Sequence, residues 1–394
     1  MRSNLENDKL TIWLEGRIDT GNAGEIDAEI AQIREGAPEA AVCLDIEKLE
    51  YISSAGLRVL MKLRKATGKT VQVVNASSEV YEIFETTGFT DLLDVHKKLR
   101  ELDVEGCEKL GEGGNGAVYR VDDDTIVKVY KPWMSYEEIS REREFARTAF
   151  INGIPSVIAY DVVKVGDCFG VVFELLRSDT LGHAIRNNPE KLESYVDQYV
   201  ELAKTLHSTK VPTDSFARIQ DVYHERIDNL GQWCTPEEIA LLHDITNCIP
   251  DSDTVTHNDL HPGNIMIQDG ELVLIDMPEV TMGPPICDLV SIYRDMIVAP
   301  TSEHGNIEES VGMPKEMIQK VGNLFFMKYL GMSDPSGLEE YYKKVGLLFA
   351  FNATVIIGSK AGTAMQIADV LLNKLFRPIV VPNEQAVKQL FQVL

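Results

Sequence analysis

His257-Asn258-Asp259-Leu260-His261-Pro262-Gly263-Asn264 sets a His, an Asp and an Asn in the spacing H-x-D-x-x-x-x-N. In one tight loop that spacing lets a carboxylate accept a proton from a hydroxyl while the Asn side chain turns to a magnesium ion. Three fixed residues at ordinary frequencies arise by chance in about a few per cent of chains this long, so neighbouring features must supply the rest. Leu272-Val273-Leu274-Ile275 follows as an apolar strand that ends in Asp276. A carboxylate there is either a second magnesium ligand or the cap of a turn. His257 reads as a brace for the loop rather than a chemical group.

Two earlier features stand in the matching order. Gly111-Glu112-Gly113-Gly114-Asn115-Gly116 fits G-x-G-x-x-G and runs into Ala117-Val118. Absent side chains let backbone N–H groups at Gly111, Gly113 and Gly116 come close to phosphate oxygens. A strand follows this loop, so it is no dinucleotide fingerprint, which requires a helix. Next, Lys128 sits inside Ile126-Val127-Lys128-Val129. A lysine in an apolar strand either snorkels at the edge or pairs with a helical Glu and holds nucleotide phosphates. Ser140-Arg141-Glu142-Arg143-Glu144-Phe145 offers Glu142 or Glu144. Glu142 is preferred, because Phe145, Ala146 and Ala149 then define the packed face beside it. The four features together point to phosphoryl transfer onto a hydroxyl.

Composition narrows the setting. The chain has 394 residues, a length suited to two or three domains, and 44% of them are hydrophobic. The formal net charge of -24 disfavours a nucleic-acid partner. The acidic excess is either a solvated surface or a negative rim that gathers a polyamine or amino sugar. No apolar run reaches the roughly 20 residues that cross a bilayer; Val345 to Gly358 contains Asn352 and reads as a buried helix. The polar, acidic start MRSNLENDKL is neither a signal nor a transit peptide. Six cysteines are scattered without a C-x-x-C pair, against a disulfide framework or zinc site. These features predict a cytoplasmic protein with no membrane or nucleic-acid partner.

The first hundred residues carry a βαβα rhythm. Leu10, Ile12 and Leu14 alternate, Ile26, Ile30 and Ile33 share a helical face, and Val42, Leu44 and Ile46 alternate again. A helix from Gly56 stops at Gly68, Val71 to Val74 gives a strand, and Val80, Ile83 and Phe84 open a last helix. The charged stretch from His96 to Arg100 marks a boundary. Beyond it, strands are expected at Val104 to Leu110, Ala117 to Val121, Thr125 to Tyr130, Ile158 to Val165 and Cys168 to Leu175, with a helix from Tyr136 to Phe150. Past Asp179 most segments read as helical. Tyr51-Ile52-Ser53-Ser54-Ala55-Gly56-Leu57-Arg58 joins a strand to a helix. Ser53 or Ser54 there is an N-cap, or Ser54 is a site where a phosphate meets free N–H groups.

Residues from about 104 onward resemble the aminoglycoside phosphotransferase and choline kinase type of small-molecule kinase, through His257 to Asn264, Ile275-Asp276 and Asp288-Leu289. The resemblance implies ATP, with GTP as an alternative, and Mg2+ held between two lobes. It makes Asp259 the catalytic base, Asn264 and Asp276 the metal ligands, and Phe173-Glu174-Leu175 the hinge for the base, with Glu174 and Leu175 as contacts. The chain departs from protein kinases in Asp276-Met277-Pro278, in His261 where they usually carry lysine, and in lacking A-P-E and an activation loop. Residues 5 to 100 resemble the STAS domain of anti-sigma-factor antagonists, through Leu14-Glu15-Gly16-Arg17-Ile18-Asp19 and the Ser53 to Arg58 loop. Aligned on Gly56, Ser54 takes the place of the serine that a partner kinase phosphorylates, and Ser53 replaces the usual Asp.

The expected architecture is an α/β STAS-like domain, a sheet with helices, over 1–100. An α+β bilobal protein-kinase-like domain follows, with an N-lobe over 101–177 and a helical C-lobe over 178–394. The leading expectation is a kinase for a hydroxyl of a small molecule, with a regulatory STAS module that senses a signal or docks a protein partner. The alternatives are a Ser/Thr protein kinase acting on a STAS-type partner or on Ser54, and a non-catalytic nucleotide-binding switch.

Overall fold

The computed structural model describes residues 1–6, 8–302, 306–358 and 365–393, and only the backbone at 365 and 366. Contacts divide the chain into two compact units, Met1–Asp103 and Val104–Leu394.

The first unit is a five-stranded sheet in the order β1-β2-β3-β4-β5, with strands Arg2–Glu6, Lys9–Ile18, Ala41–Ile52, Gln72–Ala76 and Asp94–Lys97. β1 pairs antiparallel with β2, and every later neighbour is parallel. Parallel neighbours need crossovers. These are helices α1 (Ala23–Glu35), α2 (Ser54–Thr67) and α3 (Ser78–Thr86). Alternation in β2 and β3 drives Ile12, Leu44 and Ile46 into the core, where Val80 and Phe84 of α3 meet them. Ser53 caps α2 by accepting from the Gly56 N–H, and Gly68 ends it in the left-handed conformation at φ 62°. Gly56 is needed for packing: a Cβ there would lie 2.7 Å from both Ile18 and Ile52 side chains.

The second unit opens with an antiparallel sheet of five strands. In spatial order they are Lys109–Glu112, Gly116–Arg120, Thr125–Tyr130, Cys168–Glu174 and Ala159–Val165. The strand expected from Val104 begins only at Lys109, because Gly106 turns the chain at φ 80°. Helix α4, Tyr136–Ile151, starts in a capping box of Ser135 and Glu138. It buries Ile139, Glu142, Ala146 and Ala149 at helical spacing, so one carboxylate lies on its packed face. Helices then dominate. Leu192–Ser208 packs on Lys315–Tyr329, and Leu338–Ile357 is the buried helix expected around Asn352. Among the described residues no helix is long and apolar enough to cross a membrane.

Candidate functional site

The loop from His257 to Asn264 lies between a two-residue strand, Val255–Thr256, and the hairpin Ile265–Gln268 with Glu271–Leu274. Asp269 and Gly270 turn that hairpin with φ of 53° and 89°. Two positive φ values are what a two-residue turn of matching twist requires. The hairpin delivers Asp276 beside the loop, because Ile275 donates its N–H to the Asn264 carbonyl at 3.0 Å. Asn258 and Asp276 themselves adopt φ of 62° and 59°. Left-handed backbone at residues other than glycine is strained and gathers at functional sites.

Three of the sequence-predicted groups converge. The Lys128 ammonium donates to Glu142 Oε1 at 2.7 Å and to Asp276 Oδ1 at 2.8 Å. Glu142 is buried, whereas Glu144 is exposed and pairs with Arg143 and Arg147. Lys128 therefore joins the antiparallel sheet of the second unit, helix α4 and the strand-end carboxylate. Burial works against its charge, yet Asp276 and Glu142 together hold its pKa above the ordinary lysine range. Burial likewise opposes the charge on Asp276, but Lys128 pulls that carboxyl below its usual range. Glu142 goes the other way, pushed up by burial in spite of Lys128.

Asp259 is fixed at both oxygens. Asn264 Nδ2 donates to Oδ2 at 2.9 Å and to the Asp259 carbonyl at 3.0 Å. Arg294 Nη2 donates to Oδ1 at 2.7 Å. His261 accepts the Gly263 N–H at Nδ1, so its proton sits on Nε2, which lies 3.7 Å from Asp259 Oδ2, beyond hydrogen-bond range. His257 donates from Nε2 to the Ile275 carbonyl and braces the loop. Among the described residues, Asn264 Oδ1 and Asp276 Oδ2 accept no hydrogen bond. Two hard oxygens without donors are a donor set that suits Mg2+, so the residues present fit that ion.

The glycine-rich turn has side-chain room for a ligand, but the Gly113 N–H, expected to meet a phosphate, already donates to the Gly116 carbonyl at 2.8 Å. A Cβ at Gly111, Gly113 or Gly114 would meet nothing within 4 Å. Gly116 is different: its Cβ would sit 2.2 Å from the Val129 carbonyl, so strand approach dictates that glycine. At the hinge, the Leu175 N–H already donates to the Asp124 carbonyl at 2.8 Å. The Glu174 carboxylate is also engaged, accepting from the Ile158 N–H. Among the described residues the Leu176 N–H has no acceptor. Ser54 is exposed at the first position of α2 in the other unit, and the capping duty belongs to Ser53.

Sequence reasoning quoted Asp288 only as part of the family resemblance and gave it no role, and it passed over the other groups that support the loop. Asp288 is fully buried and accepts from the His257 N–H at 2.9 Å, the Asn258 N–H at 2.5 Å and His207 Nε2 at 2.9 Å. Tyr329 OH bonds the other His207 nitrogen at 2.8 Å. Arg294 and its neighbour Asp295 were also unseen, although Arg-Asp directly after an apolar helix was a usable signal.

Residues 106–308, just over half of the chain, match the model of the phosphotransferase enzyme family, and residues 4–102 match that of the STAS domain. BtrV of Bordetella bronchiseptica, which bears the name "Putative anti-sigma factor antagonist", is 39% identical over 91 residues, covering 22% of this chain and 76% of BtrV. The anti-sigma-B factor antagonist of Bacillus subtilis is 27% identical over 96 residues, covering 24% of this chain and 85% of its own length. A solved streptomycin–ATP–APH(2″)-IIa ternary complex is similar at 17% identity and a TM-score of 0.44, over 81% of this chain and 99% of that one. The chain belongs to the phosphotransferase enzyme family and carries a STAS domain ahead of its transferase domain.

Proposed function

We propose that the second unit transfers the γ-phosphoryl group of ATP to a hydroxyl of a small molecule. The observation that carries this reading is the Lys128 ammonium bridging Glu142 and Asp276 in the unit where Asn264 and Arg294 hold Asp259. The open glycine turn and Lys128 take the phosphates, and the main chain of Glu174 and Leu176 reads the base. The Leu175 N–H does not serve there, because Asp124 holds it. Asn264 and Asp276 hold Mg2+, which supplies charge neutralisation on the β- and γ-phosphates when bound. In the transfer, the acceptor oxygen bonds to the γ-phosphorus, the bond from phosphorus to the β,γ-bridging oxygen breaks, and ADP leaves with that electron pair. Asp259 receives the hydroxyl proton. GTP is the alternative nucleotide.

Thermal unfolding with nucleotide tests the site. A ligand that binds only the native state at a hundred times its Kd stabilises by about 2.7 kcal/mol. Mg-ATP should raise the midpoint of wild type, and Lys128→Ala should lose most of that rise. No rise with millimolar Mg-ATP or Mg-GTP sinks the nucleotide site. ATP consumption across a panel of hydroxylated acceptors then identifies the substrate class.

A second reading concerns the STAS domain, taken here as a docking module for a protein partner. Ser54 is exposed at the start of α2, and Ser53 already caps that helix. A phosphate on Ser54 would gain N–H contacts and the positive end of the helix dipole, and would repel a partner docked on the bare loop. Incubation with Mg-ATP followed by intact-mass measurement should show no added phosphate. Added mass that vanishes in both Ser54→Ala and Asp259→Asn would instead make the chain a protein kinase acting on itself and overturn the small-molecule reading.

A further inference from the structure

We propose that Arg294 is the positioning residue of the transfer reaction, setting the plane of the Asp259 carboxylate through a fork that Asp295 locks. The proposal rests on the reading of Asp259 as the base. Helix Ile286–Tyr293 does not end at Tyr293 but widens into a π-helical turn, Arg294–Val298. Such turns are rare and frequent at functional sites. Within it, Arg294 Nε donates to Asp295 Oδ1 at 2.8 Å and Nη2 to Asp295 Oδ2 at 2.7 Å. This two-point grip fixes the guanidinium in plane. The second Nη2 hydrogen then points at Asp259 Oδ1, 2.7 Å away.

A carboxylate anchored at one oxygen can still swing about its terminal bond. Asn264 anchors Oδ2 and Arg294 anchors Oδ1, so only the two together fix which lone pair faces an acceptor hydroxyl. Asp295 is buried and pairs with Arg294, so the Arg–Asp unit adds almost no net charge beside the base. Its contribution is geometric. A lysine cannot take its place, because an ammonium has no planar fork to hold Asp295 and reach Asp259 together. Misplacing a reacting group by about 1 Å costs on the order of a hundredfold in rate.

Basal Mg-ATP hydrolysis, with water in the acceptor's place, is the probe. Arg294→Ala should lower kcat by about tenfold to a hundredfold while KM for ATP stays within about twofold. Arg294→Lys should lose nearly as much. Added methylguanidine should restore part of kcat to Arg294→Ala and none to Asp259→Asn, an outcome that a purely structural role would not give. Arg294→Ala/Asp295→Ala removes both charges and leaves no buried acid unpaired, so it reports even if the single variant folds poorly; it should match the single variant's expected loss. Full turnover in either alanine variant, or rescue that fails in both, overturns the positioning role. If Asp259→Asn also keeps full turnover, the base assignment falls with it; if Asp259→Asn is inactive, only the role of Arg294 is lost.

Discussion

Asp259→Asn should retain nucleotide binding and lose turnover by about a hundredfold to ten-thousandfold, the range expected when a general base is removed. Asn keeps the shape but cannot take the proton. Lys128, Glu142 and Asp276 form a separate cluster and should leave the affinity for ATP at saturating Mg2+ within about threefold. The local bonds add a second consequence. Both Asp259 oxygens accept from donors, Asn264 Nδ2 on one side and Arg294 Nη2 on the other. An amide at this position must set its own NH2 against one of them. Since arginine has no acceptor, the amide keeps its oxygen toward Arg294 and turns its NH2 to Asn264, whose amide flips and withdraws Oδ1. Asp259→Ala avoids that conflict and should show a similar fall in kcat without it. A greater Mg2+ requirement in Asp259→Asn than in Asp259→Ala would report the flip. Equal loss of binding and turnover in both variants would contradict the assigned role.

How much of this was legible in the sequence depends on how local each cause is. The motif loop, the β2 and β3 alternation and the Gly68 stop are set by neighbours a few residues away, and the structure has them where the pattern predicts. β1 escaped because all five of its residues are exposed, so it leaves no alternation to read, and only its pairing with β2 makes it a strand. Glu142 was chosen over Glu144 on helical spacing, and burial separates the two in the same sense. The hinge shows the opposite case. Nothing in Phe173-Glu174-Leu175 signals that Asp124, some fifty residues earlier, would hold the Leu175 N–H. Arg294 and Asp288 act on the loop across 35 and about 30 positions, so their partners exist only after the helices pack.

Asp288→Ala should be the most damaging single change to stability near the site. Its carboxylate, fully buried, is the common acceptor for two consecutive backbone N–H groups of the loop and for His207. Alanine leaves three buried donors facing a void. Breaking a buried charged network by removing one partner costs about 3–5 kcal/mol, a large fraction of the net stability of an ordinary domain. The loss should also reach the chemistry. Asn258 is held in left-handed backbone by its N–H bond to Asp288 and by its side-chain bonds to the Glu279 carbonyl and Thr281. Without Asp288, the strained residue can relax, and Asp259 is its next neighbour in the chain. Asp288→Asn keeps the size and one acceptor oxygen, so it should lose less than alanine, although its NH2 must confront one of the three donors. Denaturant unfolding of the three proteins, together with turnover under conditions where each stays folded, separates the two effects. Wild-type stability in Asp288→Ala would mean that water replaces the carboxylate at no cost. Loss of stability with full turnover in the folded fraction would mean that the loop holds Asp259 without this anchor.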